Sequence, residues 1–281
     1  MDAVIAPVVD FDWLAGHDAV LADVRHYLDG RSGRAAYDAG HIPGAVYIEL
    51  EDWLAAPATP QDGRHPLPGP EHFAAGMGEH GIGDDTTVVA YDDAGGAIAA
   101  RLVWMLRALG RDAALLDGGL LAYDGPLETA APRIAPAHFT PAPWPADRIA
   151  SPDDAADPAN VVIDARQRER FRGDTEPVDP RAGHIPGARS LPCREHLDER
   201  GRLLSLERLR ATLQAAGIEE DTPVVSYCGS GVTACHNLLV LEHAGLGTGR
   251  LYPGSWSQWS HSSRPAATGD EPAGRPRSQR A

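Results

Sequence analysis

At 281 residues and 43% hydrophobic content, the chain can hold one large domain or two of ordinary size, each with a real core. A formal net charge of −15 argues against nucleic acid or an anionic membrane as partner, and no run approaches the ~18 apolar residues of a spanning helix. Three cysteines (Cys193, Cys228, Cys235) are too few for a disulfide framework and lack zinc-ligand spacing; with no basic-then-apolar leader at the start, a cytoplasmic location is expected.

In chain order, Val20-Leu21-Ala22-Asp23-Val24-Arg25 is a short apolar run ending in charge, which predicts a strand. The turn block Gly40-His41-Ile42-Pro43-Gly44-Ala45 follows. A second strand pattern, Val88-Val89-Ala90-Tyr91-Asp92, precedes a helical spacing at Ile98, Leu102, Leu106 and Leu109 that stops at Gly110. Residues 131–157 are rich in Pro and Ala with few periodic signals and predict an extended, semi-rigid linker.

Beyond the linker the pattern restarts with Val161-Val162-Ile163-Asp164-Ala165-Arg166 and Gly183-His184-Ile185-Pro186-Gly187-Ala188. The apolar run Pro223-Val224-Val225-Ser226 leads through Tyr227-Cys228-Gly229-Ser230-Gly231-Val232-Thr233 into a periodic segment, Ala234 to Ala244, that ends at Gly245. Residues 263–281, with almost no large apolar groups, predict a disordered tail.

The two halves are copies. Gly81, Asp92 and Gly118 recur 136 positions later as Gly217, Cys228 and Gly254, and a constant offset over that length indicates a duplicated domain. Strands alternating with helical segments predict an α/β fold in which each copy, 1–130 and 158–262, is a parallel sheet flanked by helices. Where the second copy has Cys228 the first has Asp92, followed by another acid, so the first is predicted to be catalytically inactive and to serve as a wall of the site. His41 and His184, in the turn blocks, read as structural, and Cys235 as core. Cys193 follows Pro192 in a predicted loop, where no pattern supports a redox role.

Cys228 lies in a strand–turn–helix context, before a helix N-terminus whose N–H groups lack intrahelical partners and whose dipole is positive. Gly229 and Gly231 allow the backbone to close around the sulfur. A free thiol has a pKa near ~8.5, and each unit of lowering requires about 1.4 kcal/mol in favour of the anion. A helix terminus supplies about 0.3–2 kcal/mol, and several N–H donors more. An isolated intracellular cysteine is more often structural; the glycine pair and its context reverse that reading, in favour of a cradle for a sulfur anion.

These residues resemble the tandem rhodanese-domain sulfurtransferases from about Val20 to Trp259. The paired Gly-His-Ile-Pro-Gly-Ala blocks look like that family's signature, and the Cys-Gly-Ser-Gly-Val-Thr loop is similar to that of its members acting on 3-mercaptopyruvate. The resemblance implies a ping-pong transfer without cofactor or metal. Cys228 takes sulfur from a small-molecule donor as a persulfide and passes it to a thiol acceptor such as thioredoxin, or to cyanide. It also implies substrate binding by Arg170 and Arg181, alongside the loop residues Gly229, Gly231, Val232 and Thr233. A relay of Ser230, His65 and Glu51 follows from it too, with glutamate where relatives carry aspartate and with Asp52 or Asp62 as substitutes. Without the resemblance, Arg170 and Arg181 do not stand out from Arg166, Arg168 and Arg172, and His65 beside its prolines reads as a surface residue. Pro253 and Gln258 replace acids usual in the family's closing motif, a change expected to affect packing and not chemistry.

Three other readings compete. A thiosulfate sulfurtransferase would favour cations in the loop, and Gly229 and Ser230 provide none. A cysteine phosphatase needs an arginine six residues after the cysteine, where this chain has Ala234. A non-catalytic scaffold would use the acidic surface alone.

Overall fold

The computed structural model describes residues 5–270. The first sheet holds β1 (Val8–Val9), β2 (Val20–Asp23), β3 (Val46–Tyr47), β4 (Val88–Tyr91) and β5 (Ala113–Leu116), in the order β1-β5-β4-β2-β3. The second holds β6 (Val161–Asp164), β7 (Arg189–Ser190), β8 (Val224–Tyr227) and β9 (Arg250–Leu251), in the order β7-β6-β8-β9. All strand pairings are parallel. The central strands β4 and β8 are buried along their whole length, as continuous apolar runs should be when both faces of a parallel sheet are covered. The α/β architecture in two copies is therefore as the sequence predicts.

The duplication extends to side chains. At the end of β2, Asp23 pairs with Arg25 at 2.7 Å, and Arg25 donates to the Gly40 carbonyl at 2.8 Å. At the end of β6, Asp164 pairs with Arg166 at 2.6 Å, and Arg166 donates to the Gly183 carbonyl at 2.7 Å. Each buried pair ties a strand end to its turn block, and breaking one strands a charge at a cost of about 3–5 kcal/mol. His41 stacks on Tyr37 and His184 on Phe171, with ring centroids 3.8 and 3.7 Å apart, and each Nδ1 engages the carbonyl of the residue it covers. Both histidines are structural.

The linker differs from its predicted form. Residues 131–145 are free of helix and strand, but a 3-10 turn at Ala146–Arg148 and a helix at Pro152–Ala156 follow, the latter closed by a Ser151–Asp154 capping box. Between them Ile149 pairs in parallel with Leu251, and the Ala150 N–H donates to the Leu251 carbonyl at 2.7 Å. This segment lies beside β9 as β1 lies beside β5, so it completes the second sheet. A two-residue pairing is made by main chain and leaves no periodic signal to read. The predicted tail also needs correction: Ala267 exchanges both backbone hydrogen bonds with His184, and the Gly269 N–H donates to the Arg172 carbonyl. Residues 263–270 thus pack on the second domain, while the rest of the predicted tail, 271–281, lies outside the described residues.

The helices Ala100–Ala108 and Ala234–His243, which follow the corresponding loops after β4 and β8, pack against each other across the domain seam. Arg107 and Glu242 pair across it at 2.5 Å. One apolar core runs through the seam, joining Leu102 and Leu106 to Leu238, Leu239, Cys228 and Cys235. Duplication has therefore placed the Asp92 and Cys228 loops on either side of one interface.

Candidate active site

Cys228 leaves the end of β8 and is 2% exposed. Its Sγ accepts the Gly231 N–H at 3.1 Å and the Ser230 N–H at 3.4 Å, so amide donors do converge on the sulfur. Gly231 takes φ +79°, with the Pro253 carbonyl oxygen 2.6 Å from where a Cβ would sit; here glycine is required by both conformation and space. The loop is held from behind by the helix Ser255–His261: the Trp256 N–H donates to the Cys228 carbonyl and the Ser257 N–H to the Gly229 carbonyl. Ser255, at φ +52°, turns its hydroxyl to accept the Cys228 N–H at 3.2 Å.

In the first domain the corresponding cradle surrounds a carboxylate. Asp92 is fully buried and accepts four backbone N–H groups, from Ala94, Gly96, Ile98 and Ala99, at 2.7–2.9 Å. Burial pushes its pKa up while those donors pull against the shift. Its oxygens are committed and sealed, whereas its neighbours Asp93 and Ala94 line the cavity in front of Cys228.

That cavity, of about 610 Å³, lies between the domains. His65 enters it from the first domain and meets Ser230 Oγ through Nδ1 at 2.8 Å. Burial, reinforced by Arg101 and Arg64, lowers the His65 pKa to about 3, so the ring is neutral at neutral pH. Its segment is pinned to the second domain at Gly63, where the Gly254 carbonyl oxygen comes within 2.6 Å of a Cβ position, and by the Arg64 N–H to Ser257 Oγ at 3.0 Å. Arg101, fully buried, donates to the carbonyls of His65 at 3.1 Å and Gly231 at 3.0 Å, joining both halves of the site.

Two guanidinium groups face the cysteine loop. A Cβ on Gly229 would lie 3.0 Å from Arg64 Nη2 and 3.5 Å from Arg170 Nη1. Arg64 and Arg170 share the buried carboxylate of Asp179, at 2.9 and 3.2 Å, and Arg170 also pairs with Glu176 at 2.6 Å. The loop contains no cation, as the sequence shows, but two guanidinium groups, each paired with buried carboxylates, stand beside it.

The remaining expectations divide. Val232 and Thr233 line the cavity with Gly229, whereas Gly231 acts through its backbone, accepting Cys235 Sγ–H and Arg101 at its carbonyl. Arg181 does not reach the cavity: its guanidinium donates to the carbonyls of Arg264 at 2.8 Å and Trp259 at 3.0 Å, and so secures the C-terminal helix. Glu51 is exposed and outside the cavity lining, although a carboxylate oxygen comes within 4.8 Å of a His65 ring nitrogen. Asp62 is turned to Thr59, whose hydroxyl it accepts at 2.7 Å. Gln258 accepts the Tyr252 hydroxyl and reaches the Gln61 carbonyl, a packing role. Cys235 is core as read, and Cys193 lines the cavity; burial pushes both thiols up to about 12. Sequence reasoning missed Arg64, Arg101 and His26. The only local signal for Arg64 was its place beside His65, and Arg101 lay hidden among the apolar positions of its helix.

The chain belongs to the rhodanese-like domain family, which matches residues 12–125 and 147–262. The second match includes the turn and helix at 146–156 almost entirely. A probable 3-mercaptopyruvate sulfurtransferase of Pseudomonas aeruginosa is 42% identical over 92% of this chain and 95% of its own length. A putative thiosulfate sulfurtransferase of Mycobacterium tuberculosis is 40% identical over 91% of this chain and 93% of that one. Among solved structures, 3-mercaptopyruvate sulfurtransferase from Leishmania major superposes with a TM-score of 0.81 at 32% identity, covering 91% of this chain and 74% of that one.

Proposed function

We propose that this chain is a sulfurtransferase that moves sulfur from 3-mercaptopyruvate, through a persulfide on Cys228, to a thiol such as thioredoxin or to cyanide. The observation that carries the reading is a sulfur held by two amide donors in a cavity where Arg64 and Arg170 stand beside the same loop. The Cys228 thiolate attacks the donor sulfur, and the C–S bond breaks with its electron pair passing to the methylene carbon. That carbon takes a proton and leaves as pyruvate, and the acceptor thiolate then removes the outer sulfur. Arg64 and Arg170 suit the donor carboxylate and ketone oxygen through forked hydrogen bonds. Ser230 and the neutral His65, linked at 2.8 Å, suit the proton transfer.

Intact-protein mass spectrometry after mixing with 3-mercaptopyruvate should show one added sulfur, about 32 Da, mapping to Cys228. Cys228→Ser should fold normally and lose turnover, and substantial residual pyruvate release would remove it as nucleophile. The two guanidinium groups beside the loop also suit a second, anionic donor, thiosulfate, as in the name of the mycobacterial relative. A higher kcat/KM for thiosulfate than for 3-mercaptopyruvate would make that the preferred donor.

A further inference from the structure

The proposed mechanism uses one ring nitrogen of His65 and leaves its surroundings unexplained. His26, half-buried, lines the same cavity and meets His65 edge-on, with ring centroids 5.9 Å apart. One ring nitrogen from each histidine and a carboxylate oxygen of Glu51 all lie within 4.8 Å of one another. The Nδ1 atoms already have neighbours. His65 Nδ1 meets Ser230 Oγ at 2.8 Å, and His26 Nδ1 is 4.0 Å from Glu49 Oε1, with Glu49 in turn accepting the Tyr47 hydroxyl at 2.7 Å. Neither Nε2 has a hydrogen-bond partner among the described residues.

We propose that His26, His65 and Glu51 form a binding site for a borderline-soft divalent cation such as Zn²⁺, and that its binding arrests sulfur transfer. Two imidazoles and a carboxylate with a fourth position open to the cavity are a donor set suited to zinc, at ligand distances of about 2.0–2.2 Å. Partners that hold the other nitrogen of each imidazole orient the rings, as around established zinc ligands. Ligand atoms around a tetrahedral ion stand roughly 3.3 Å apart. The spread of up to 4.8 Å therefore closes by side-chain rotation, for which the exposed Glu51, with no ion pair among the described residues, and the half-buried His26 have room. An ion on His65 Nε2 withdraws that ring from proton transfer, since a metal-bound imidazole no longer exchanges its proton freely, and it stands in the cavity that leads to Cys228. The inhibitory half of this proposal rests on the sulfurtransferase reading; the binding half does not.

The test is calorimetric titration of Zn²⁺ into the full chain carrying Cys228→Ser, which removes the cavity thiolate as a competing ligand. One equivalent should bind, and His26→Ala and Glu51→Gln should each weaken binding at least about tenfold. Glu51 is exposed, so Glu51→Gln reports on binding without disturbing the core. Absence of stoichiometric binding, or affinity unchanged in both variants, overturns the site. In the unsubstituted chain, Zn²⁺ should stop pyruvate release and a chelator should restore it; full turnover at saturating Zn²⁺ overturns the inhibitory role. Calorimetry reads binding without turnover, so failure of the site is distinguishable from failure of the sulfurtransferase reading.

Discussion

Arg101→Met tests the claim that one buried guanidinium holds the two halves of the site together. The substitution keeps an apolar stem of similar length and removes the donors to four carbonyls: Leu54, His65, Pro66 and Gly231. Two of these keep another donor, since Pro66 also accepts the Ala56 N–H and Gly231 the Cys235 thiol. The carbonyls of Leu54 and His65 lose Arg101 as their donor, and each buried orphan costs about 1–3 kcal/mol. Burial lowers the Arg101 pKa, a sign that the charge itself is costly to keep, and its removal returns part of that sum. A net loss of about 3 kcal/mol corresponds to a Tm lower by roughly 6–12 °C at this chain length. Differential scanning calorimetry reads the shift, and donor kinetics should show a lower kcat/KM, because His65 and the Cys228 loop lose their common tether. A Tm within about 2 °C of the parent would refute the reasoning, since the four carbonyls would then have found other donors at no cost.

Gly229→Ala places a methyl group 3.0 Å from Arg64 Nη2, so the guanidinium must yield by a few tenths of an ångström. KM for a carboxylate donor should rise roughly threefold to tenfold with little change in Tm, and an unchanged KM would detach the arginines from substrate binding. Arg181→Ala should leave KM within about twofold while lowering stability by about 1–2 kcal/mol, because it deletes donors to the Arg264 and Trp259 carbonyls. A tenfold rise in KM would return Arg181 to the site. Acid should weaken the fold through His196 and His236, which stack at the seam and whose pKa values burial lowers to about 3 and about 4. Since the folded values lie below the ordinary 6.5, their contribution is complete above that pH and is lost as pH falls toward 4, at up to about 1.4 kcal/mol per unit per histidine. Urea midpoints between pH 7.5 and 5 should fall less steeply in His236→Phe, and parallel slopes would exclude this pair as the cause.

Legibility followed the range of the interaction. The duplicated α/β plan, the strand leading to Cys228 and the glycine turn around it are local patterns, since apolar runs and glycine positions specify backbone conformation within a few residues. The exchange of Asp92 for Cys228 was legible for the same reason, because the repeat aligns the two loops. What the chain crossing alone decided was which side chains of a common type face the sulfur. Arg181 and Arg64 are chemically equal on paper. Arg181 is turned to the C-terminal helix, while the close approach of Gly63 to Gly254 brings Arg64 from the other domain to Gly229. The edge pairing of Ile149 and Ala150 with Leu251 was silent because main-chain hydrogen bonds carry no side-chain signature. Arg101 was silent because a lone cation among apolar helix positions finds its carbonyl partners only in the tertiary fold, three of them in its own domain and the fourth, Gly231, across the seam.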